Sequence, residues 1–337
     1  MSVVTETENS LLDALPGVAM PVAEVEPTLA RIWSAEGGKG VTPPSEYRAS
    51  QMNLILHFGL KTSADEARER FDAAIRFAQR YPCRIIALCP AGRERSERQL
   101  QGKLFTQCYI GPDLRSMCCC EAIGLGYPTR EAGFLDNQVS IWLENDLPTC
   151  HWFNRVPARR IEDIHFSFIK NCRRVVYDSA VEDEDFTQIA WPHPEAVRDL
   201  AWARLLPVRQ SLGQFLSSFQ PSELAGGLAN VRVQHEGMPA EARWLLHWQR
   251  TALENCAAHA DLKLEAEFHL DENPRDLGHC LETEWTYRKG DKFFRWSHCS
   301  GSSDATFEAN ITGRPVSLPL SVPWNSPEDV LAEALFF

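Results

Sequence analysis

The sequence predicts an α/β protein: an N-terminal three-layer α/β domain with a mixed sheet, followed by an α+β half with antiparallel strands. Three observations carry that prediction. First, two strand-length apolar runs, NLILHF (Asn53–Phe58) and RIIALC (Arg84–Cys89), flank one amphipathic segment. Strand, helix and strand at this distance make a βαβ unit, with parallel strands and a right-handed crossover. Second, helical and strand patterns continue to alternate as far as Tyr177. Third, beyond about residue 196 strand candidates follow one another through short turns, the mark of antiparallel pairing.

Residues 1–45 are rich in Pro, Glu and Gly and read as a partly ordered arm, docked through Leu29, Ile32 and Trp33. The α/β domain is expected over 46–180. Its first helix opens at Ser63, with Glu66 three residues on as a capping box. Ala67, Phe71, Ala74, Ile75 and Ala78 form the apolar face, and Tyr81-Pro82 ends it. Leu104–Ile110 and Met117–Ile123, separated by the turn-like GPDLR, predict an antiparallel hairpin. A helix near 132–144 then leads to a strand at Thr149–Phe153, and another near 159–170 leads to Arg173–Tyr177.

Val181–Glu195 is acidic and contains proline, and is expected to be a solvated linker. The α+β half, 196–337, opens with an amphipathic helix over Asp199–Phe215. Leu205, Val208, Leu212, Phe215 and Phe219 share one face of it, and Pro207 suits the first turn of a helical segment. A strand at 227–233, a helix at 240–258 and strands at 263–270, 281–288 and 292–298 follow. The last two are joined by the hairpin signal Lys289-Gly290-Asp291. A C-terminal helix starts at Ser326-Pro327.

Composition narrows the function. The chain has 337 residues, a net charge of −12 and no basic cluster, so a nucleic-acid partner is not expected. RERSER (Arg93–Arg98) alternates in sign and reads as a solvated loop. No apolar run approaches the roughly 20 residues of a membrane span, and the N-terminal segment lacks a basic leader, so no secretory signal is expected. A cytoplasmic protein follows. The 11 cysteines are an odd number and several fall in apolar runs, so they are expected to be reduced core filler.

Candidate chemistry is sparse. GLGYP (Gly124–Pro128) satisfies neither dinucleotide nor P-loop spacing and reads as a tight turn. His279-Cys280 and His298-Cys299 superficially resemble a zinc set, but neighbours on a strand point to opposite faces. The same alternation defeats a Cys150-His151 dyad. Nothing basic activates Cys118, Cys119 or Cys120. No cofactor, metal or catalytic residue is assigned.

Several segments, in order, resemble the glucose-6-phosphate dehydrogenase assembly protein (OpcA) family. DLAWARLLPVR (Asp199–Arg209) resembles its D-L-x-W-x-R-L-x-P-x-R segment. Arg48, Asn53 and Leu54 match its opening strand motif, Cys120–Leu125 its C-E-x-I-x-L strand, and Asp146–Phe153 its D-L-P strand, with Phe153 in place of a second Trp. RRVVYDSA (Arg173–Ala180) resembles the strand ending in Asp178-Ser179. The resemblance implies a non-catalytic factor that binds glucose-6-phosphate dehydrogenase, promotes its active form, and serves as an allosteric activator in the pentose phosphate pathway. On this reading Asp199, Trp202, Arg204 and Arg209 form the partner-binding surface. The rival reading packs Trp202 inside and pairs the arginines with Asp178 or Asp199. A different class of function, a sugar-phosphate-binding enzyme, would place its site in the α/β crevice near Cys89-Pro90 and Phe153-Asn154.

Overall fold

The computed structural model describes residues 10–33, 50–91, 100–110, 117–273, 279–299 and 302–337. Arg48, RERSER and GPDLR lie outside them. The chain forms two units: residues up to Asp199 together with Pro327–Phe337, and Leu200–Ser326. The first runs α1 (Leu11–Ala14), β1 (Val18–Pro21), α2 (Val22–Trp33), β2 (Met52–Phe58), α3 (Ala64–Arg80), β3 (Cys83–Ala91), β4 (Gln101–Ile110), β5 (Met117–Pro128), α4 (Leu135–Ser140), β6 (Thr149–Asn154), α5 (Ala158–Arg160), α6 (Phe166–Ile169), β7 (Arg174–Tyr177) and β8 (Val197–Asp199). The second runs α7 (Leu200–Arg204), α8 (Leu206–Leu216), α9 (Pro221–Ala225), β9 (Leu228–Glu236), α10 (Pro239–His259), β10 (Glu267–Glu272), β11 (Cys280–Tyr287), β12 (Phe293–Cys299), β13 (Asp304–Asn310) and β14 (Val316–Ser321). Helix α11 (Pro327–Phe336) closes the chain and belongs to the first unit.

The first unit is built on a mixed sheet in the order β1-β4-β5-β3-β2-β6-β7-β8. Strands β5, β3, β2, β6, β7 and β8 are parallel, as the βαβ reading requires for β2 and β3. Every residue of β2 is buried and β3 is buried through Pro90. Because the pleat alternates, both sheet faces are covered, the arrangement expected of parallel strands. On one face α2, α4 and α6 bury Val25, Leu29, Val139 and Phe168 against Ile55, Ile86 and Ile123. Helix α11 packs on α3, with Phe336 against Phe77 and Tyr81 at ring separations of 6.0 and 4.7 Å. The chain lays β3 and β5 on one side of β2, then returns to place β6 on the other. The strand order therefore reverses at β2, and a crevice opens beyond the strand ends there.

Several expectations need correction. Residues 10–33 of the arm are folded in: β1 pairs with β4, and α2 buries Leu29 and Trp33, although Ile32 is exposed. The acidic stretch 181–195 is part of the first unit rather than a linker, because Phe186 and Ile189 are buried against Tyr177 and Val175. The expected helix from Asp199 to Phe215 is three elements: Asp199 ends β8, and two short helices meet just before Pro207, in the first turn of α8. The region 159–170 carries a π-turn, Ile161–His165, between α5 and α6.

In the second unit six strands follow the order β10-β9-β11-β12-β13-β14. Alternate residues of β9, β11, β12 and β13 are buried. Val231, Leu281, Trp285, Phe294 and Phe307 face the helical residues Leu205, Val208, Leu212 and Leu245. The sheet is not wholly antiparallel, since β10 pairs parallel with β9. Strands β13 and β14 were not foreseen. Pro319 in β14 argues against a central strand, and β14 is indeed an edge strand.

Cysteine usage differs from the reduced reading. Cys108 and Cys119 face each other across the β4–β5 pair, and Cys280 and Cys299 across β11–β12. Their Cα atoms are 3.9 and 4.0 Å apart, and each pair is a disulfide. Only the strand register, which residue spacing does not give, brings them together. Cys89, Cys150 and Cys172 are buried filler, as expected.

A buried ion pair ties the sheet together at the amino end of its parallel strands. Arg84 on β3 pairs with Glu121 on β5, its register neighbour, and Glu121 also accepts the Trp33 indole N–H at 2.7 Å. Arg84 reaches the Glu144 carboxylate at 2.7 Å as well. Removing one partner of a buried pair leaves a stranded charge. Glu121→Gln is expected to lower stability by about 3 kcal/mol in urea unfolding. Glu144→Gln, at the more exposed end, should cost under about 1 kcal/mol.

Candidate functional site

The crevice at the reversal point is shaped by the ends of β2 and β6 and the N-terminus of α3. Gly59 and Ser63 from the turn after β2, Glu66 from α3, and Asn154 and Arg155 at the end of β6 meet there. The Ser63 Oγ accepts the Glu66 N–H at 3.1 Å, completing one half of the expected capping box. The other half is absent because the Glu66 carboxylate turns to Arg155. Arg155 Nε donates to Oε1 and Oε2 of Glu66 at 3.0 and 2.7 Å, and Asn154 Nδ2 donates to Oε1 at 3.3 Å. A helix N-terminus is a ready site for a pyrophosphate, but here a resident carboxylate already occupies that position and carries its own counter-ion. Gly59 completes the turn: a Cβ there would lie 1.7 Å from the Arg155 carbonyl oxygen.

The acidic stretch straps this mouth. The Arg155 backbone N–H donates to Glu182 at 2.8 Å, its guanidinium donates to the Val181 carbonyl at 2.7 Å, and Lys61 Nζ donates to Asp183 at 2.7 Å. The Ala158 N–H donates to Glu184 at 3.0 Å. The expected solvated charge run thus holds the crevice rim, because Glu182, Asp183 and Glu184 meet donors from Arg155, Lys61 and Ala158. Asp185 instead caps the following turn through the Thr187 N–H.

Behind the rim lies a cluster that residue spacing did not reveal. His57 on β2, His151 on β6 and Tyr127 on β5 are buried side by side. His57 Nδ1 is 3.3 Å from His151 Nε2, and His57 Nε2 is 2.9 Å from the Tyr127 hydroxyl. The His165 ring stands edge-on to His57 at 4.6 Å. Burial holds His57 and His151 well below the usual imidazole range, reinforced for both by His165. Burial, then the nearby Arg160 charge, lowers His165 to about 4. At neutral pH the imidazoles are uncharged.

Of the four residues singled out from the sequence, Asp199 belongs to the first unit and Trp202, Arg204 and Arg209 to the second. Asp199 is buried at the end of β8 and accepts the Ser179 N–H at 3.0 Å, linking the D-S motif to the D-L motif. Arg204 pairs with Glu241 of α10 at 2.7 Å. The Arg209 guanidinium lies over the Trp202 ring at 3.6 Å, and Trp202 neighbours Trp244 at 5.6 Å. Trp202, Arg204 and Arg209 are half-buried.

The described cysteine and histidine alternatives sit in structural settings. Burial pushes the Cys150 thiol up to about 11 and Cys172 up to about 12, and a thiol held neutral is a poor nucleophile. His279 bonds the Gly237 carbonyl at 3.0 Å, while His298 is buried beside Trp296 and Trp324. Among the described residues no group of three His, Cys, Asp or Glu side chains is arranged to hold a metal ion. Among them, too, no helix is long and apolar enough to cross a membrane.

Residues 74–191 match the family model described as "Glucose-6-phosphate dehydrogenase subunit N-terminal domain", of the OpcA assembly family. That part of the α/β unit is similar to an OpcA-family domain. A protein of Synechocystis sp. named "Putative OxPP cycle protein OpcA" is 24% identical over 180 residues, 51% of this chain. The match spans only 37% of that protein's length. Two solved structures overlap loosely. One, named a "putative nadph-dependent oxidoreductase" from Desulfitobacterium hafniense, gives a TM-score of 0.42 at 10% identity, over 84% of this chain and 86% of that one. An oxidoreductase domain protein from Kribbella flavida gives 0.39 at 9% identity, over 81% of each chain. Overlaps this loose support no statement about cofactor or activity.

Two pH effects follow for the OpcA-type unit. His165 titrates near 6.5 when unfolded and about 4 when folded. Its neutral form is favoured by folding, so its stabilisation is complete above pH 6.5 and lost as pH falls toward 4. His165 contributes about 3 kcal/mol of the loss between pH 7 and 4, read in urea unfolding as the amount by which His165→Phe shrinks the wild-type change, the buried His57 and His151 supplying the remainder. Glu182 runs the other way: burial raises it from 4.5 to about 8. Stability from its protonated form is present below pH 4.5 and lost as pH rises through 8. Glu182→Gln should therefore be more stable than the wild type by about 2–4 kcal/mol at pH 8, and by little at pH 4.5.

Proposed function

We propose that this chain is a non-catalytic partner of glucose-6-phosphate dehydrogenase that favours the enzyme's assembled, active form. The observation that carries this reading is the match of residues 74–191 to the family model of that assembly domain. The crevice chemistry supports it. The α3 N-terminus is occupied by the Glu66–Arg155 pair, and burial keeps Cys150 and Cys172 as neutral thiols.

A non-catalytic partner raises activity only by binding the active conformer or oligomer more tightly than the inactive one. A coupling of about 1–3 kcal/mol changes apparent substrate affinity roughly 5- to 150-fold. For the contact itself the proposal is the Trp202–Arg209 stack, a half-buried aromatic and guanidinium pair of the kind that dominates interfaces. Arg204, through Glu241, and Asp199, through Ser179, hold the flanking backbone.

The test is to titrate the chain into glucose-6-phosphate dehydrogenase from the same source and record glucose 6-phosphate saturation curves. A saturable fall in half-saturation concentration, or a rise in maximal rate, is the expected outcome. Trp202→Ala should weaken co-elution at least about 30-fold with its own unfolding midpoint retained. No change in rate together with no co-elution would sink the proposal.

A further inference from the structure

The crevice holds a small cavity of about 70 Å³. Its lining contains three cationic side chains, Lys61, Arg155 and Arg160, and no carboxylate, in a chain whose net charge is −12. Two of these cations are already matched: Lys61 by Asp183, and Arg155 by Glu66. Arg160 is not. Half-buried at the end of α5, its guanidinium makes no hydrogen bond or ion pair among the described residues. Its charge is nonetheless felt by His57, His165 and Tyr127.

A second observation points the same way. His165 is 3% exposed, lines the cavity, and makes no hydrogen bond among the described residues. Thr129, also in the lining, has an equally unengaged hydroxyl. Buried polar groups are normally satisfied, so the unengaged ring of the buried His165, beside the Arg160 guanidinium in a lining without a carboxylate, marks a place for an acceptor. The volume is well below the roughly 300–1,000 Å³ of pockets that enclose whole small molecules. It suits one compact group, with the rest of any ligand outside the mouth.

We infer that this cavity is a binding site for a phosphoryl group, gripped by the Arg160 guanidinium with His165 and Thr129 as further donors. Arg suits this role because its planar fork matches phosphate oxygens. The phosphoryl group is either free phosphate or the phosphate of a small metabolite. A site at the switch point of an open α/β sheet is where such sheets bind ligands, but the Glu66–Arg155 pair and the cavity's size confine this one to a single phosphoryl group. The inference rests on the cavity alone, and stands whether or not the chain binds a dehydrogenase.

Isothermal titration calorimetry on the full chain at pH 7.5 tests it, with inorganic phosphate, glucose 6-phosphate and acetate as probes. Phosphate is expected to bind wild type saturably, and Arg160→Gln to weaken it about tenfold or more. Arg160→Lys should recover part of the loss, and Thr129→Val provides an independent reading should Arg160→Gln fold poorly. Tighter binding of glucose 6-phosphate than of phosphate identifies a metabolite as the source; equal or weaker binding identifies free phosphate. Equal affinity in wild type, Arg160→Gln and Thr129→Val would overturn the site, as would acetate binding as tightly as phosphate.

Discussion

Arg155 is the residue on which the first unit's functional end depends. It sits just past β6 with φ of 56°, a left-handed conformation that non-glycine residues seldom adopt. Such a conformation costs about 1–3 kcal/mol and persists only where the surroundings over-determine it. Here they do: Nε donates to both oxygens of Glu66, the guanidinium bonds the Val181 carbonyl, the backbone N–H meets Glu182, and the carbonyl fixes position 59 as glycine. One side chain thereby joins β6, the N-terminus of α3 and the 181–184 strap.

The same pattern of buried polar ties recurs along the sheet. At the amino end, Arg84, Glu121 and Trp33 lock β3, β5 and α2. Asn53 is fully buried and donates to the Glu144 carbonyl at 3.0 Å, while its own oxygen accepts the Glu144 N–H at 3.0 Å. At the carboxyl end, His57, His151 and Tyr127 link β2, β6 and β5. Apolar runs alone would tolerate register slips between such uniformly hydrophobic strands. Partners that must meet across the sheet penalise a slip by leaving a polar group unpaired.

The features behind the two proposals lie in different units. The first holds the matched family domain and a cationic cavity; the second presents the Trp202–Arg209 stack beside an ion pair. Three of the motif residues that suggested the family do local structural work. Asn53 closes a loop, Glu121 neutralises Arg84, and Asp199 caps Ser179. A family signature can persist for the sake of the scaffold that carries a working surface.

The sequence by itself determined the elements whose periodicity is unambiguous. NLILHF and RIIALC became parallel strands, Ser63 capped α3, and Leu205, Val208 and Leu212 formed a core face. These are local facts, because the spacing of apolar residues along one segment fixes which face it buries. Tertiary structure decided what each face would meet. It sent α11 back to α3, made residues 181–195 a strap, and paired β10 parallel with β9. It also set Cys108 opposite Cys119, and brought His57 and Arg160 to one cavity though 103 positions separate them. Strand order and register govern such meetings, and both are properties of the assembled sheet that no single segment encodes.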